Sequence, residues 1–290
     1  MKVYGFTFIR NALKYDYPIV EAIRSILPIC DKVIVGVGDS EDDTLSLIQD
    51  IDPKKIEIIQ TVWDDSLREG GKVLAVETDK VFQCIPDDVD WAFYIQGDEV
   101  IHEKYLPEVK NAMTRYLNNH EVDGFLFKYL HFYGSYDYVG VSSNWYRHEI
   151  RVVRNSKNIY SYRDAQGFRK NDNEKLRVKP IDAYIYHYGW VREPASMQRK
   201  QETFKKYWHD DDWVEKNLVK ADEFDYSSNI TELTKFEGEH PEIMKNRLDR
   251  INWQFEMDIS FKRKSLKDKV KVFFQKFLNI EIGYKNYKKI

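Results

Sequence analysis

The first hundred residues alternate between short apolar runs and amphipathic stretches. "KVYGFTFI" at the start is a β-rich run. Residues 16 to 28 then place Ile19, Ile23, Ile26 and Leu27 on one face of a helix that Pro28 closes. "KVIVGV" (32 to 37) has the composition of a buried strand. It ends in the polar turn "GDSEDDT", which offers caps for a helix carrying Leu45, Leu47 and Ile48. "KIEIIQTV" predicts a third strand, "REGGKVLAVETDKVFQCI" a Gly-Gly turn running into a helix, and "WAFYIQGDEV" (91 to 100) a fourth strand. Strand–helix alternation at this pace predicts an α/β fold of three layers around a mainly parallel sheet. Ligands of such sheets bind outside the carboxyl ends of the strands.

The pattern changes after a helix expected near 103 to 119. Two aromatic strand-like segments follow, "GFLFKYLHFYGSYDYV" and "NWYRHEIRVVRN". A loop, "YSYRDAQGFRKND", leads to the strand "DAYIYHYGWV". From 194 onward the chain reads as helical and polar. It shows neither repeats nor a low-complexity linker, so these helices are expected to pack on the same body.

A hydrophobic content of 42% over 290 residues is enough for a core, which argues against global disorder. The net charge of −3 does not suggest a nucleic-acid binder. That sum conceals an asymmetry: residues 262 to 290 carry a charge of +8, leaving −11 elsewhere. Cys30 and Cys84 form neither a disulfide framework nor a metal spacing. The N-terminal run meets Arg10 early and lacks a cleavage site, and no segment has the roughly 20 apolar residues needed to span a bilayer. These features predict a soluble, cytoplasmic protein.

Four places could carry chemistry or hold a ligand. Asp98 and Glu99 follow the fourth strand, where an acid pair can hold Mg²⁺ or Mn²⁺ and bridge it to substrate phosphates; the plainer alternative is a solvated, helix-capping turn. His187 sits in the aromatic run "YIYHYGW", as a core histidine or as a residue reaching the same cleft. Asp164, between aromatics in "YRDAQGF", and Glu149 in "RHEIR" are candidate general bases or ion-pair partners of Arg163 and Arg151. Arg68, Gly70, Gly71 and Lys72 at a helix start could meet a phosphate. "GVGDSE" lacks the third glycine of a dinucleotide fingerprint, and no "GK[ST]" is present, which counts against a Rossmann dehydrogenase and a P-loop kinase.

Taken in order, "FTFIRN", "GDSEDDT", "REGGK", "YIQGDEV" and "HYGWVREP" resemble the family-2-like glycosyltransferases of the GT-A fold over about residues 1 to 195. The resemblance implies a nucleotide-sugar-binding α/β sandwich with added C-terminal helices: a catalytic domain at 1–195, a helical extension at 196–261 and a tail at 262–290. It further implies a nucleotide-diphosphate sugar as donor and a glycan or lipid-linked acceptor, with transfer that inverts the anomeric carbon. Asp39 would contact the base or ribose, and Arg68 and Lys72 the base or diphosphate. Asp98 would bind Mg²⁺ or Mn²⁺, with His187 as a late metal or diphosphate ligand and Glu99 as a metal-facing substitute for the missing first acid. Gln96 stands where the family's acidic signature has its first acid; it can still hydrogen-bond a ribose hydroxyl. Asp164, then Glu149, are the choices for the base. A catalytically silent nucleotide- or glycan-binding relative and a sugar-phosphate nucleotidyltransferase are the competing readings.

In the tail, "SLKDKVKVFFQKFLNI" places Leu266, Val270, Phe273, Phe274, Phe277 and Leu278 at helical spacing among lysines. Such a helix either docks on the core or lies on an anionic leaflet as a peripheral membrane contact, at the inner face of the cell membrane.

Overall fold

Three strand–helix repeats lay down one half of a sheet: β1 (Val3–Ile9), α1 (Ile19–Ile26), β2 (Lys32–Gly38), α2 (Thr44–Gln49), β3 (Ile56–Thr61) and α3 (Lys72–Phe82). The computed structural model describes residues 1–142, 144–217, 221–227, 232–259 and 285–290. The chain continues through β4 (Trp91–Tyr94), β5 (Glu99–Ile101), α4 (Leu106–Arg115), β6 (Gly124–Tyr133), β7 (Ser135–Gly140) and β8 (His148–Arg154). After these come β9 (Ile159–Tyr162), β10 (Gly167–Lys170), β11 (Glu174–Trp190), α5 (Pro194–Phe204) and α6 (Asp211–Asn217). The short elements β12 (Leu233–Lys235), α7 (Lys245–Leu248) and β13 (Tyr287–Lys289) complete the order.

The sheet runs β3-β2-β1-β4-β8-β6-β11-β10-β9. Its first four strands are parallel, β8 runs against both β4 and β6, and β6 and β11 are parallel to each other. The carboxyl ends of β1, β4, β6 and β11 therefore open on the same edge. Side-chain alternation divides β1 between two cores. Val3 and Ile9 pack with α1, α2 and α4 on one face, while Tyr4 and Phe6 pack with α3 on the other. Phe6, Phe82, Tyr94 and Phe168 form one aromatic cluster, with centroids 5.1 to 6.3 Å apart. Burying each such ring stabilises the fold by roughly 1.5–3 kcal/mol. The expected three-layer α/β sandwich is present, around a mixed sheet.

Three expectations need correcting. The strand expected over 91 to 100 is two strands, because a turn closed by Glu99 N–H to the Gln96 carbonyl (3.0 Å) breaks it. β5 leaves β4 and pairs antiparallel with β11. The expected loop around 160 to 172 is the β9–β10 hairpin, and the region after 194 contains β12 and β13 as well as helices. Among the described residues no helix is long and apolar enough to cross a membrane. The amphipathic run from Leu266 to Leu278 lies outside the described residues.

Candidate active site

The strand ends and α5 enclose a cleft of about 700 Å³. Phe8, Ile9 and Arg10 reach it from the end of β1, Gln96 to Asp98 from the turn after β4, His131 from β6, and His187, Gly189 and Trp190 from β11. Lys200 and Phe204 enter from α5. One wall is a contact chain of Phe8, Trp63, Tyr207, Phe204 and Trp208, with neighbouring ring centroids 5.4 to 5.8 Å apart. On another side, Trp145 packs edge-on against Trp190, and its ring stacks on His131.

The turn at Gln96–Glu99 sends the two adjacent acids to opposite environments. Asp98 faces the cleft. Glu99 is fully buried beneath it, where Arg151 donates two hydrogen bonds of 2.7 Å, Tyr129 a third at 2.8 Å and the Gln96 backbone a fourth at 3.1 Å. With both oxygens occupied in this way, Glu99 has nothing to offer a metal, contrary to the role expected for it.

Asp98 is surrounded by basic groups instead. Lys200 Nζ lies 3.3 Å from Oδ2 and Arg192 Nη2 lies 3.9 Å from it, while His187 Nε2 is 3.7 Å from Oδ1. Burial alone would raise the Asp98 pKa, but Lys200, His187 and Arg192 overcome it and hold the carboxyl well below its usual range. Burial, helped by Arg192 and opposed by Asp98, lowers Lys200 to about 7. Arg192 and Lys200 both lie over the Tyr17 ring, 4.3 and 5.1 Å from its centroid. Gly189 keeps this corner open: a Cβ there would come 2.5 Å from His187 Cε1 and 2.9 Å from Asp98 Oδ2.

His187 is oriented from behind. Its Nδ1 is 3.3 Å from Nδ1 of His131, whose Nε2 lies 2.7 Å from the Tyr146 carbonyl. The carbonyl can only accept, so the His131 proton sits on Nε2, and His187 donates from Nδ1 to His131. Burial lowers the pKa of both rings.

The remaining expected residues divide. Asp164 lines the cleft at the β9–β10 turn, held between Arg163 and Ala165, both at positive φ (59° and 61°). Non-glycine residues adopt that backbone only when their surroundings enforce it. Here the Ala165 carbonyl accepts from Gln96 Nε2 at 3.1 Å, which ties the turn to Gln96 in the cleft. Burial raises the Asp164 pKa. Asp39 sits at the rim, 3.4 Å from the cleft-lining Arg10. Arg68 is paired with Asp211 at 2.8 Å, and Lys72 points to solvent; neither lines the cleft. Glu149 is buried behind it, its pKa lifted to about 8 by burial against the pull of Arg151.

The expected Mg²⁺ or Mn²⁺ does not fit these residues. Such an ion needs a shell of oxygen ligands, usually with one or two free carboxylates. Among the described residues Asp98 is the single carboxylate at this corner, its second oxygen is bound by Lys200 and faced by Arg192, and Gln96 stands in the place of the other acid. Among the described residues no three His, Cys, Asp or Glu side chains gather as a metal site.

No protein-family model matches the sequence, and no curated protein sequence matches it significantly. Solved structures do match in shape. The crystal structure of S. aureus TarS residues 1–349 aligns at 14% identity and a TM-score of 0.43, covering 77% of this chain and 67% of that one; the same fragment has been solved with UDP. This chain spans 39% of the longer TarS structure. Glucosyl-3-phosphoglycerate synthase from Mycobacterium tuberculosis, in complex with Mg²⁺ and UDP, aligns at 18% identity and a TM-score of 0.30 over 45% of this chain and 43% of that one. Similarity of this order says nothing about chemistry, which has to be read from the cleft's own side chains.

Lys200, Arg192 and His131 are among the site residues that sequence reasoning does not reach. A signal exists for the first. Met197, Lys200 and Phe204 fall at spacings of three and four on α5, so a lysine interrupts an apolar stripe. Arg192 lies inside the "HYGWVREP" segment, five residues past His187.

Proposed function

We propose that this protein is a glycosyltransferase that moves a sugar, of hexosyl type, from a nucleotide-diphosphate sugar to a hydroxyl group, with inversion. The observation that carries this reading is the cationic corner of Lys200 and Arg192 around Asp98, with His187 beside it, set at the strand ends in an aromatic-walled cleft. Diphosphate needs fixed positive charge, and a nucleoside and a sugar need flat apolar faces beside polar groups. The resemblance in the order of sequence motifs supports the same reading.

In this arrangement the wall of Phe8, Trp63 and Tyr207, beside Arg10 and Asp39, takes the nucleoside, and Gln96 meets a ribose hydroxyl. The diphosphate lies against Lys200. Trp145, Tyr146 and Trp190 receive the acceptor. Asp164 accepts the proton from the attacking hydroxyl. That oxygen forms its bond to the anomeric carbon while the carbon–oxygen bond to the phosphate breaks, its electron pair leaving on the nucleoside diphosphate. The raised pKa of Asp164 makes it a stronger base than an ordinary carboxylate. Glu149 does not line the cleft, so the structure offers it no contact with the acceptor. We place the acceptor among glycans, lipid-linked sugars and surface polysaccharides, with the basic segment 262–290 as a peripheral contact to an anionic membrane face.

A thermal-shift screen of UDP, GDP, CDP and dTDP sugars tests the donor site, since a ligand bound only to the native state raises the melting temperature. One nucleotide class should stabilise the wild type and lose its effect in Asp98→Ala. No shift with any of them at millimolar concentration would overturn the proposal.

A further inference from the structure

The cleft's charge inventory leads beyond the choice of donor. Taking the donor-site reading above as given, we propose that Lys200, backed by Arg192, carries the diphosphate charge that a divalent cation would otherwise carry, so that nucleoside diphosphate binds without metal.

An ammonium group has three donors. Lys200 directs one to Asp98 Oδ2 (3.3 Å) and one to the Gly189 carbonyl (3.0 Å), while its side chain lines the cleft. The third donor is left for an anionic ligand. Its Nζ lies over the rings of Tyr17 and Phe204, 5.1 and 5.0 Å from their centroids, so the group is held in place before any ligand arrives. Preorganised charge of this kind needs little rearrangement when negative charge develops.

Arg192 completes the substitution from behind. Its side chain is wholly buried, Nη1 donates to the Gly189 carbonyl at 3.0 Å, and Nη2 faces Asp98 with no hydrogen-bond partner among the described residues. With Lys200 protonated and His187 neutral, Asp98 neutralises one of two positive charges and the corner carries a net charge of +1, a state that a bound diphosphate favours because Lys200 otherwise titrates at about 7. A dication placed on Asp98 would meet Lys200 and Arg192 across a few ångströms and have one carboxylate to hold it. Asp98 here is the anchor that positions an ammonium group, and Gln96 is the uncharged residue that such a site tolerates.

Titration calorimetry of the full chain with UDP, GDP, CDP and dTDP, in EDTA and separately in Mn²⁺, decides the matter. One diphosphate should bind in EDTA with an affinity within about threefold of that in Mn²⁺. Lys200→Met should weaken metal-free binding about 10- to 100-fold, the size expected for a lost charge-assisted hydrogen bond. Lys200→Arg should retain most of it. Binding that appears only with Mn²⁺ and is indifferent to Lys200→Met would overturn this inference and leave the glycosyltransferase reading standing. Absence of binding in both buffers would overturn the two together. If Lys200→Met fails to fold, the wild-type comparison of EDTA with Mn²⁺ is sufficient by itself.

Discussion

Arg151 grips Glu99 through two hydrogen bonds of 2.7 Å, with both side chains fully shielded from water. The pair locks the turn after β4, and the turn is what aims Asp98 into the cleft. Breaking a buried pair by removing one partner costs about 3–5 kcal/mol, because the other charge is left uncompensated. Glu99→Gln should therefore lower unfolding stability by roughly that amount in urea, and Arg151→Met in the same chain should recover part of it. A Glu99→Gln protein of unchanged stability would show that the pair does not hold the turn.

Much of the fold is legible in the sequence because its first half is built from self-contained signals: apolar strand, polar turn, one-sided helix. What escapes is where neighbouring residues diverge. Nothing in "QGDEV" says that the chain turns at Gln96–Glu99, so the two acids read as a pair although one faces ligand and the other the core. The β9–β10 hairpin hides because Tyr160, Tyr162, Arg163 and Asp164 resemble a polar loop. Asp98 and His187 are legible from their places at strand ends. Lys200 comes from a helix a hundred residues later, and only packing brings it beside Asp98. Arg68 and Lys72 were expected at the ligand because Gly70 and Gly71 precede a helix. Both glycines adopt positive φ there, and the turn they make leaves Lys72 in solvent.

Glu149 makes stability depend on pH in a direction opposite to that of most carboxylates. Burial lifts its pKa from 4.5 to about 8, so the folded protein holds this proton more tightly than the unfolded chain does. The contribution is present in full below pH 4.5 and is lost as pH rises through 8. Each unit of the interval is worth about 1.4 kcal/mol. Glu149→Gln, which cannot ionise, should lose less stability than the wild type between pH 6 and pH 9. Parallel melting-temperature profiles for the two proteins would refute the buried, protonated state.

Gly189 tests the geometry of the cationic corner with a single methyl group. A Cβ at this position would lie within 3 Å of both His187 and Asp98, so Gly189→Ala must displace one of them. Diphosphate affinity should fall by about tenfold or more, the size of one lost charged hydrogen bond, measured by calorimetry. Circular dichroism should be unchanged. Wild-type affinity in this variant would mean that ligand does not use the corner.

Asp164 should separate binding from turnover. As the group proposed to accept the acceptor's proton, it contributes to the transition state and not to donor affinity, so Asp164→Asn should keep its thermal shift with donor while turnover falls about 10²–10⁴-fold. The pH dependence has a definite sign. Burial raises the Asp164 pKa, so wild-type turnover should climb as pH rises through a value above the ordinary carboxylate range and the group loses its proton. That limb should be missing from the residual activity of Asp164→Asn. Gln96 offers an internal control, because it anchors the same turn through the Ala165 carbonyl without taking a proton. Gln96→Ala should weaken the donor's ribose contact and, at saturating donor, lower turnover through misplacement of Asp164 while preserving the acidic limb of the profile. If Asp164→Asn instead loses donor binding and retains the pH limb, Asp164 belongs to the donor pocket and the base is another group.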